Sequence, residues 1–138
     1  MTKITRGNPP NLKNVRANVY HHYIRVDNPS TLIFLSGQLS RDVDGKRTVV
    51  APGDAERQIE TIFINMRAVL EGVGAGLADI CWLQIFVTNI DDRLRMDAVR
   101  RRFFGETELP AATMVEVSRL ALPGTVVEVN AIAVIEDR

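Results

Sequence analysis

The apolar run "VVEVNAIAVI", Val126 to Ile135, constrains this chain more than any other segment. Successive residues of a strand point to opposite faces of its sheet. One face then carries Val127, Val129, Ala131, Ala133 and Ile135, and the other carries Val126, Glu128, Asn130, Ile132 and Val134. Both faces are mostly apolar, so a sheet holding this strand has to be covered twice. Helices of the same chain can cover one face. The other calls for another subunit, so a homo-oligomer packed through its sheets, with clefts between chains, is expected.

The chain supplies the helices. From Asp54 onward, Ile59, Ile62, Met66, Val69, Leu70 and Val73 fall on a stripe of helical period. Asp54 and Glu56 suit the positive N-terminal end, and "GVGAG" ends the helix after about five turns. "TNIDD" offers Asp91 or Asp92 as N-cap of a second helix that runs through Phe104 to Gly105.

Strand character appears in "NVYHHYIRV" (18–26) and "TLIFLSG" (31–37), which the "DNPS" turn between them would join as a hairpin. An Asp44–Gly45 turn precedes a brief strand at Thr48–Val50, and Ile80–Val87 is nearly continuous apolar. "LPAATMVEVSRLALPGTVVEVNAIAVI" (109–135) reads as two strands joined by a Pro-Gly turn. The expected fold class is α+β: a single mixed β-sheet with two helices on one face, in one domain spanning 1–138.

Charge and composition narrow the function. Lys plus Arg and Asp plus Glu both number 17, so the chain lacks the broad positive field that sequence-independent nucleic-acid binding uses. No window approaches the ~18 apolar residues of a membrane span, and the N-terminus has no signal-peptide core. A single cysteine, Cys81, fits a reducing compartment, so a cytoplasmic protein is expected.

Metal and cofactor motifs are weak. His21 and His22 are neighbours on a strand, so they point to opposite faces and cannot share one metal. "GVGAG" has the wrong spacing for a phosphate loop and follows a helix instead of opening one. Arg100 to Arg102 read as a solvated, dipole-matched helix end, and Cys81 reads as packing. These residues give no expectation of a metal.

Glu128 is the candidate for chemistry. An acid amid three aliphatic side chains on one strand face can hold water and move a proton. The alternative is an ion pair with an arginine across a subunit interface.

Taken in order, "SGQLS", "GVGAGLADI", "VTNIDD", "RRRFFGETELPA", "MVEVSRL" and "VVEVNAIAVI" resemble the RidA family, also called YjgF, from about Tyr20 to the C-terminus. The resemblance implies a chorismate-mutase-like fold, a homotrimer, and small-molecule clefts between its subunits. It also implies cofactor-free hydrolysis of enamines and imines to a keto acid and ammonia.

The family's Glu falls on Glu128, its glycine on Gly37, and its Tyr on Tyr20, or on Tyr23 in a gapless reading. "PAATM" places Ala112 where the family's carboxylate-binding arginine stands, followed by Thr113, and Met114 where a Cys is common. Asp97 stands where the second helix usually supplies Asn. If both positions face the cleft, the exchange makes it more acidic by about two charge units, which favours a neutral or cationic ligand against Ala112 and Met114. Alternatively Arg101, one turn beyond Asp97, restores a carboxylate contact. The expected function is hydrolytic deamination of an imine, enamine or related metabolite other than the family's archetypal substrate. The alternative is a non-catalytic metabolite-binding or regulatory member, and endoribonuclease chemistry is disfavoured by the neutral charge.

Overall fold

Asp54 opens the first helix, its carboxylate accepting a hydrogen bond from Arg57 N at 3.1 Å in the manner of an N-cap. The computed structural model to which this helix belongs describes residues 1–12, 19–42, 46, 48–105 and 108–136. Its elements run β1 (Lys3–Gly7), β2 (Tyr23–Asp27), β3 (Leu32–Leu39), α1 (Ala55–Glu71), β4 (Ile80–Val87), α2 (Arg93–Phe104), β5 (Ala111–Glu116) and β6 (Val127–Val134). Past α1, Gly74 takes φ 79 and Ala75 N–H reaches back to Leu70 O at 2.9 Å, a reversal that suits glycine.

The main sheet has the order β3-β6-β4-β5, with β4 and β5 parallel and the other pairs antiparallel. One face of it packs under the helices. Ile59, Ile62, Phe63, Met66 and Leu70 of α1 and Met96 and Val99 of α2 meet Leu83, Ile85, Val127, Val129 and Ala133 in one core. The α+β class and the mixed sheet with two helices are therefore as expected.

Several details differ. Val69 and Val73 are 45% and 55% exposed, while Phe63 at 0% takes their place in the buried stripe. The aromatic rings of Phe103 and Phe104 pack on Phe63 at 5.5 and 5.2 Å between centroids, which rotates that stripe toward α2. Asp92 stands at the N-cap position of α2, one of the two residues expected there, but its side chain makes no capping hydrogen bond. Asn89 instead accepts from Asp91 N at 3.0 Å, in a short 3-10 turn over Ile90–Asp92.

The expected hairpin of residues 18–26 with 31–37 does not form. β2 pairs with β1, from Lys3↔Asp27 to Gly7↔Tyr23, in a separate two-stranded sheet, and β3 pairs with β6. β3 can bury Leu35 and Leu39 beside the central strand, whereas the half-polar β2 has less to gain there. β5 and β6 are separated by β4, because α2 is a crossover that lays β5 parallel to β4. Near Thr48–Val50 there is an isolated bridge between Arg41 and Val49 in place of a strand. The expected Asp44–Gly45 turn and Asn18 lie outside the described residues.

Candidate functional site

Away from the helices, the sheet presents a face with three rows. Phe34, Ile132, Trp82 and Ala111 lie across it in register, then Asn130, Gln84 and Thr113, then Glu128, Phe86 and Val115. Phe34 is 71% exposed in the single chain, and Trp82, Phe86 and Ile132 are half-buried. This is the second apolar face read from β6, with a polar row through its middle.

The β3–β6 register shifts between Leu35 and Gln38, so Ser36 and Gly37 bulge opposite Asn130. Gly37 lies against Glu128: a Cβ added there would sit 2.5 Å from Glu128 Oε2 and 3.0 Å from its carboxyl carbon. Gly37 has no left-handed φ, so what the glycine provides is room for this close approach and not a special backbone conformation. Among the described residues, none hydrogen-bonds or ion-pairs with the Glu128 carboxylate. Asn130 Oδ1 beside it is buried with no partner among them.

The other expected residues are placed differently. Thr113 shares the Glu128 face through its register with Gln84, but Ala112 and Met114 stand opposite Leu83 and Ile85 and pack against the core. Asp97 is 3% exposed on α2 and is ion-paired with Arg100 at 3.3 Å. Arg100, expected to be solvated with its neighbours, is itself 3% exposed and donates to Val19 O at 3.0 Å. The Asp97 carboxylate is thus paired inside the helix layer of this chain, apart from the Glu128 face. Arg101 is exposed on the same helix.

Both tyrosines sit in the N-terminal region. Tyr20 is half-buried with its ring edge-on to His22 at 5.4 Å between centroids, and Tyr23 lies over Gly7 in the β1–β2 sheet. His21 anchors this region to the start of β5, with Nδ1 2.7 Å from Leu109 O and its N–H 3.1 Å from Pro110 O. Cys81 is buried, and burial pushes its thiol above the ordinary 9.0. Among the described residues no three His, Cys, Asp or Glu are grouped to hold a metal, and no helix is long and apolar enough to cross a membrane.

Sequence reasoning placed Asn130 on the Glu128 face but missed the polar row that it forms with Gln84. Asn130 and Gln84 were legible as alternate residues of β6 and β4, but only the pairing of those strands puts them in one row. It also missed Gln58, a fully buried amide that donates to Ala51 O at 3.0 Å and Gly124 O at 2.8 Å and accepts from Val126 N at 2.9 Å. A polar residue within the apolar stripe of α1 was the available signal.

Residues 13–135 match the family described as Endoribonuclease L-PSP. A RutC family protein of Pyrococcus abyssi is 33% identical over 114 residues, 83% of this chain and 84% of that protein. The 2-iminobutanoate/2-iminopropanoate deaminase of Dermatophagoides farinae is 33% identical over 117 residues, 85% and 86% of the two chains. A Rid-family protein of unknown function from Yersinia pestis superposes with a TM-score of 0.86 at 22% identity, covering 96% of this chain and 98% of that one. The mixed sheet with its helix layer is the chorismate-mutase-like fold of these neighbours. From residue 13 to residue 135, the chain belongs to the YjgF/RidA/RutC family.

Proposed function

We propose that this protein hydrolyses a small imine or enamine to the carbonyl compound and ammonia, in clefts between the subunits of a homotrimer. The single observation that carries this reading is the Glu128 carboxylate, held against Gly37 at the β3 bulge without a partner among the described residues. Two relatives named 2-iminobutanoate/2-iminopropanoate deaminase, each 33% identical, support the reaction class. An apolar face with Phe34 71% exposed supports assembly through the sheets.

The chemistry asks little more than a positioned water and a proton shuttle. Glu128 accepts a hydrogen bond from the water and takes its proton as the oxygen attacks the protonated imine carbon. The new C–O bond gives a carbinolamine. Glu128 then returns the proton to nitrogen, and as the C–N bond breaks it takes the hydroxyl proton, so ammonia leaves as the carbonyl forms. No redox partner or metal is needed for the atoms and electrons to balance. RNA cleavage is not supported, since 17 basic and 17 acidic residues leave no net positive charge.

A second reading is favoured by one observation. Ala112 places no cation at the family's arginine position and packs toward the core, which suits a protein that binds a metabolite without turning it over. Turnover of freshly generated imines, followed for wild type and Glu128→Gln, separates the two. The hydrolase reading expects consumption above the buffer rate and a loss of at least ~100-fold in the variant. No consumption by wild type, or an unchanged rate in Glu128→Gln, leaves the binding protein.

A further inference from the structure

The β3 bulge brings two unpaired acceptors together. Ser36 and Gly37 stand opposite Asn130, and Gly37 lies against Glu128 Oε2. Asn130 Oδ1 is buried without a partner, and the Glu128 carboxylate has no hydrogen bond or ion pair among the described residues. Asn130 and Glu128 are alternate residues of β6, so they share a face about 7 Å apart along the strand, and one small ligand can touch both. A buried amide oxygen left without a donor costs stability, and a ligand N–H would satisfy it.

What surrounds the two acceptors selects the charge of that ligand. Phe86 is directly across from Glu128 in the β4–β6 ladder, with about 5 Å between Cβ atoms for such a pair. Gln84 and Thr113 continue the row of Asn130, and Trp82 and Phe34 lie in the next row. Across these three rows there is no Lys, Arg or His. Arg100 belongs to the helix layer, where Asp97 and Val19 O engage it. An anionic ligand on this face therefore meets a like charge at Glu128 and no counter-charge from these rows. A cation with N–H groups meets a carboxylate, an amide oxygen and aromatic rings.

We propose that the Glu128 face selects a cationic substrate without a carboxylate, the protonated imine of a simple primary amine, whose N–H donates to Asn130 Oδ1 and whose charge is set against Glu128 and Phe86. The proposal rests on Glu128 as the water-holding group and names the substrate class of that reaction. Water adds to the C=NH2+ carbon, the C–N bond breaks, and an aldehyde and ammonium leave, with no electrons transferred. The reaction that must supply this substrate is the two-electron oxidation of an amine by a separate flavin-dependent oxidase, with dioxygen as the electron acceptor.

The test uses the full chain and three probes on one carbon skeleton: butylammonium, 1-butanol and butanoate, which differ in charge. Binding of each is measured by calorimetry for wild type, Glu128→Gln, Asn130→Val and Phe86→Leu. Wild type is expected to bind butylammonium at least ~10-fold more tightly than 1-butanol, and butanoate no better than 1-butanol. Glu128→Gln should weaken butylammonium about tenfold to a hundredfold and Asn130→Val about tenfold, with 1-butanol little changed. Phe86→Leu should cost about twofold to tenfold for the cation alone. Asn130→Val removes an unpaired polar atom, so its thermal midpoint should not fall, and Glu128→Gln keeps the shape of a half-buried side chain. Turnover is compared for the imine made from butylamine by an amine oxidase and the imine made from 2-aminobutanoate by an amino-acid oxidase. The first should have a kcat/KM at least ~10-fold higher.

Butylammonium bound no more tightly than 1-butanol, or equally by wild type and Glu128→Gln, overturns the cation site. Glu128-dependent turnover of the 2-aminobutanoate imine in preference to the butylamine imine also overturns it, and leaves the hydrolase reading standing. Glu128-dependent butylammonium binding with neither imine consumed by wild type keeps the cation site and removes the hydrolase reading.

Discussion

Glu128 and Gly37 occupy one space: the carboxylate of β6 rests where a side chain on the β3 bulge would be, 2.5 Å from its Cβ position. The contact is with the far end of a flexible side chain, which can move away at modest cost. Gly37→Ala should therefore destabilise the fold by only about 1 kcal/mol while re-aiming the carboxylate. Imine turnover is expected to drop at least ~10-fold, with the denaturation midpoint nearly kept. A large midpoint shift, or full activity, contradicts this relationship.

The Asp97–Arg100 pair, 3.3 Å apart and nearly solvent-free, should respond unequally to single and double substitution. Arg100→Met leaves a buried carboxylate and should cost about 3 to 5 kcal/mol in urea unfolding. Asp97→Leu combined with Arg100→Met should recover part of that loss, because this ion pair is then removed as a unit. Equal losses in the single and double variants would show that packing, not charge, holds this site.

Gln58 ties α1 to Ala51, Gly124 and Val126 by three hydrogen bonds. Gln58→Leu keeps the volume and strands those backbone groups, so a loss of roughly 3 kcal/mol or more is expected. Amide exchange at Val126 should accelerate in the same variant. An unchanged exchange rate there would mean that this bond does not hold the start of β6.

Cys81 carries a pH dependence of definite sign. Burial lifts its thiol above 9.0, and Arg6 opposes that shift without cancelling it. The folded chain therefore keeps its proton at pH values where the unfolded chain loses it. The stabilisation is full below about 8.5 to 9 and is lost as the pH rises through the folded-state value. Replacing Cys81 with Ala should remove this fall in stability as the pH rises above about 8.5 to 9. Parallel pH curves for the two proteins would refute the shift.

The proposed assembly through the open sheet face would make Phe34, 71% exposed in one chain, a contact residue. Phe34→Asp should convert a trimer in sedimentation velocity to monomers while circular dichroism stays unchanged. A wild type that sediments as a monomer removes the proposed trimer outright.

The sequence by itself determined the elements whose causes are local. Asp54 at the start of α1 and the glycines that end both helices act within a turn of where they stand, and period 2 in β6 shows two faces to cover whatever its neighbours are. Glu128 was legible for the same reason, as the acid on an apolar face. Strand partners were not legible, because "DNPS" and "LPGT" look like hairpin turns while the burial offered to β3 and β5 by β6 and β4 outweighs adjacency in the chain.

Only tertiary structure could set Gly37 against Glu128, seat Asp97 on Arg100, and turn Ala112 toward the core while Thr113 faces Glu128. Those relationships join residues from different elements, and their geometry follows from sheet order and helix packing, which no local pattern contains.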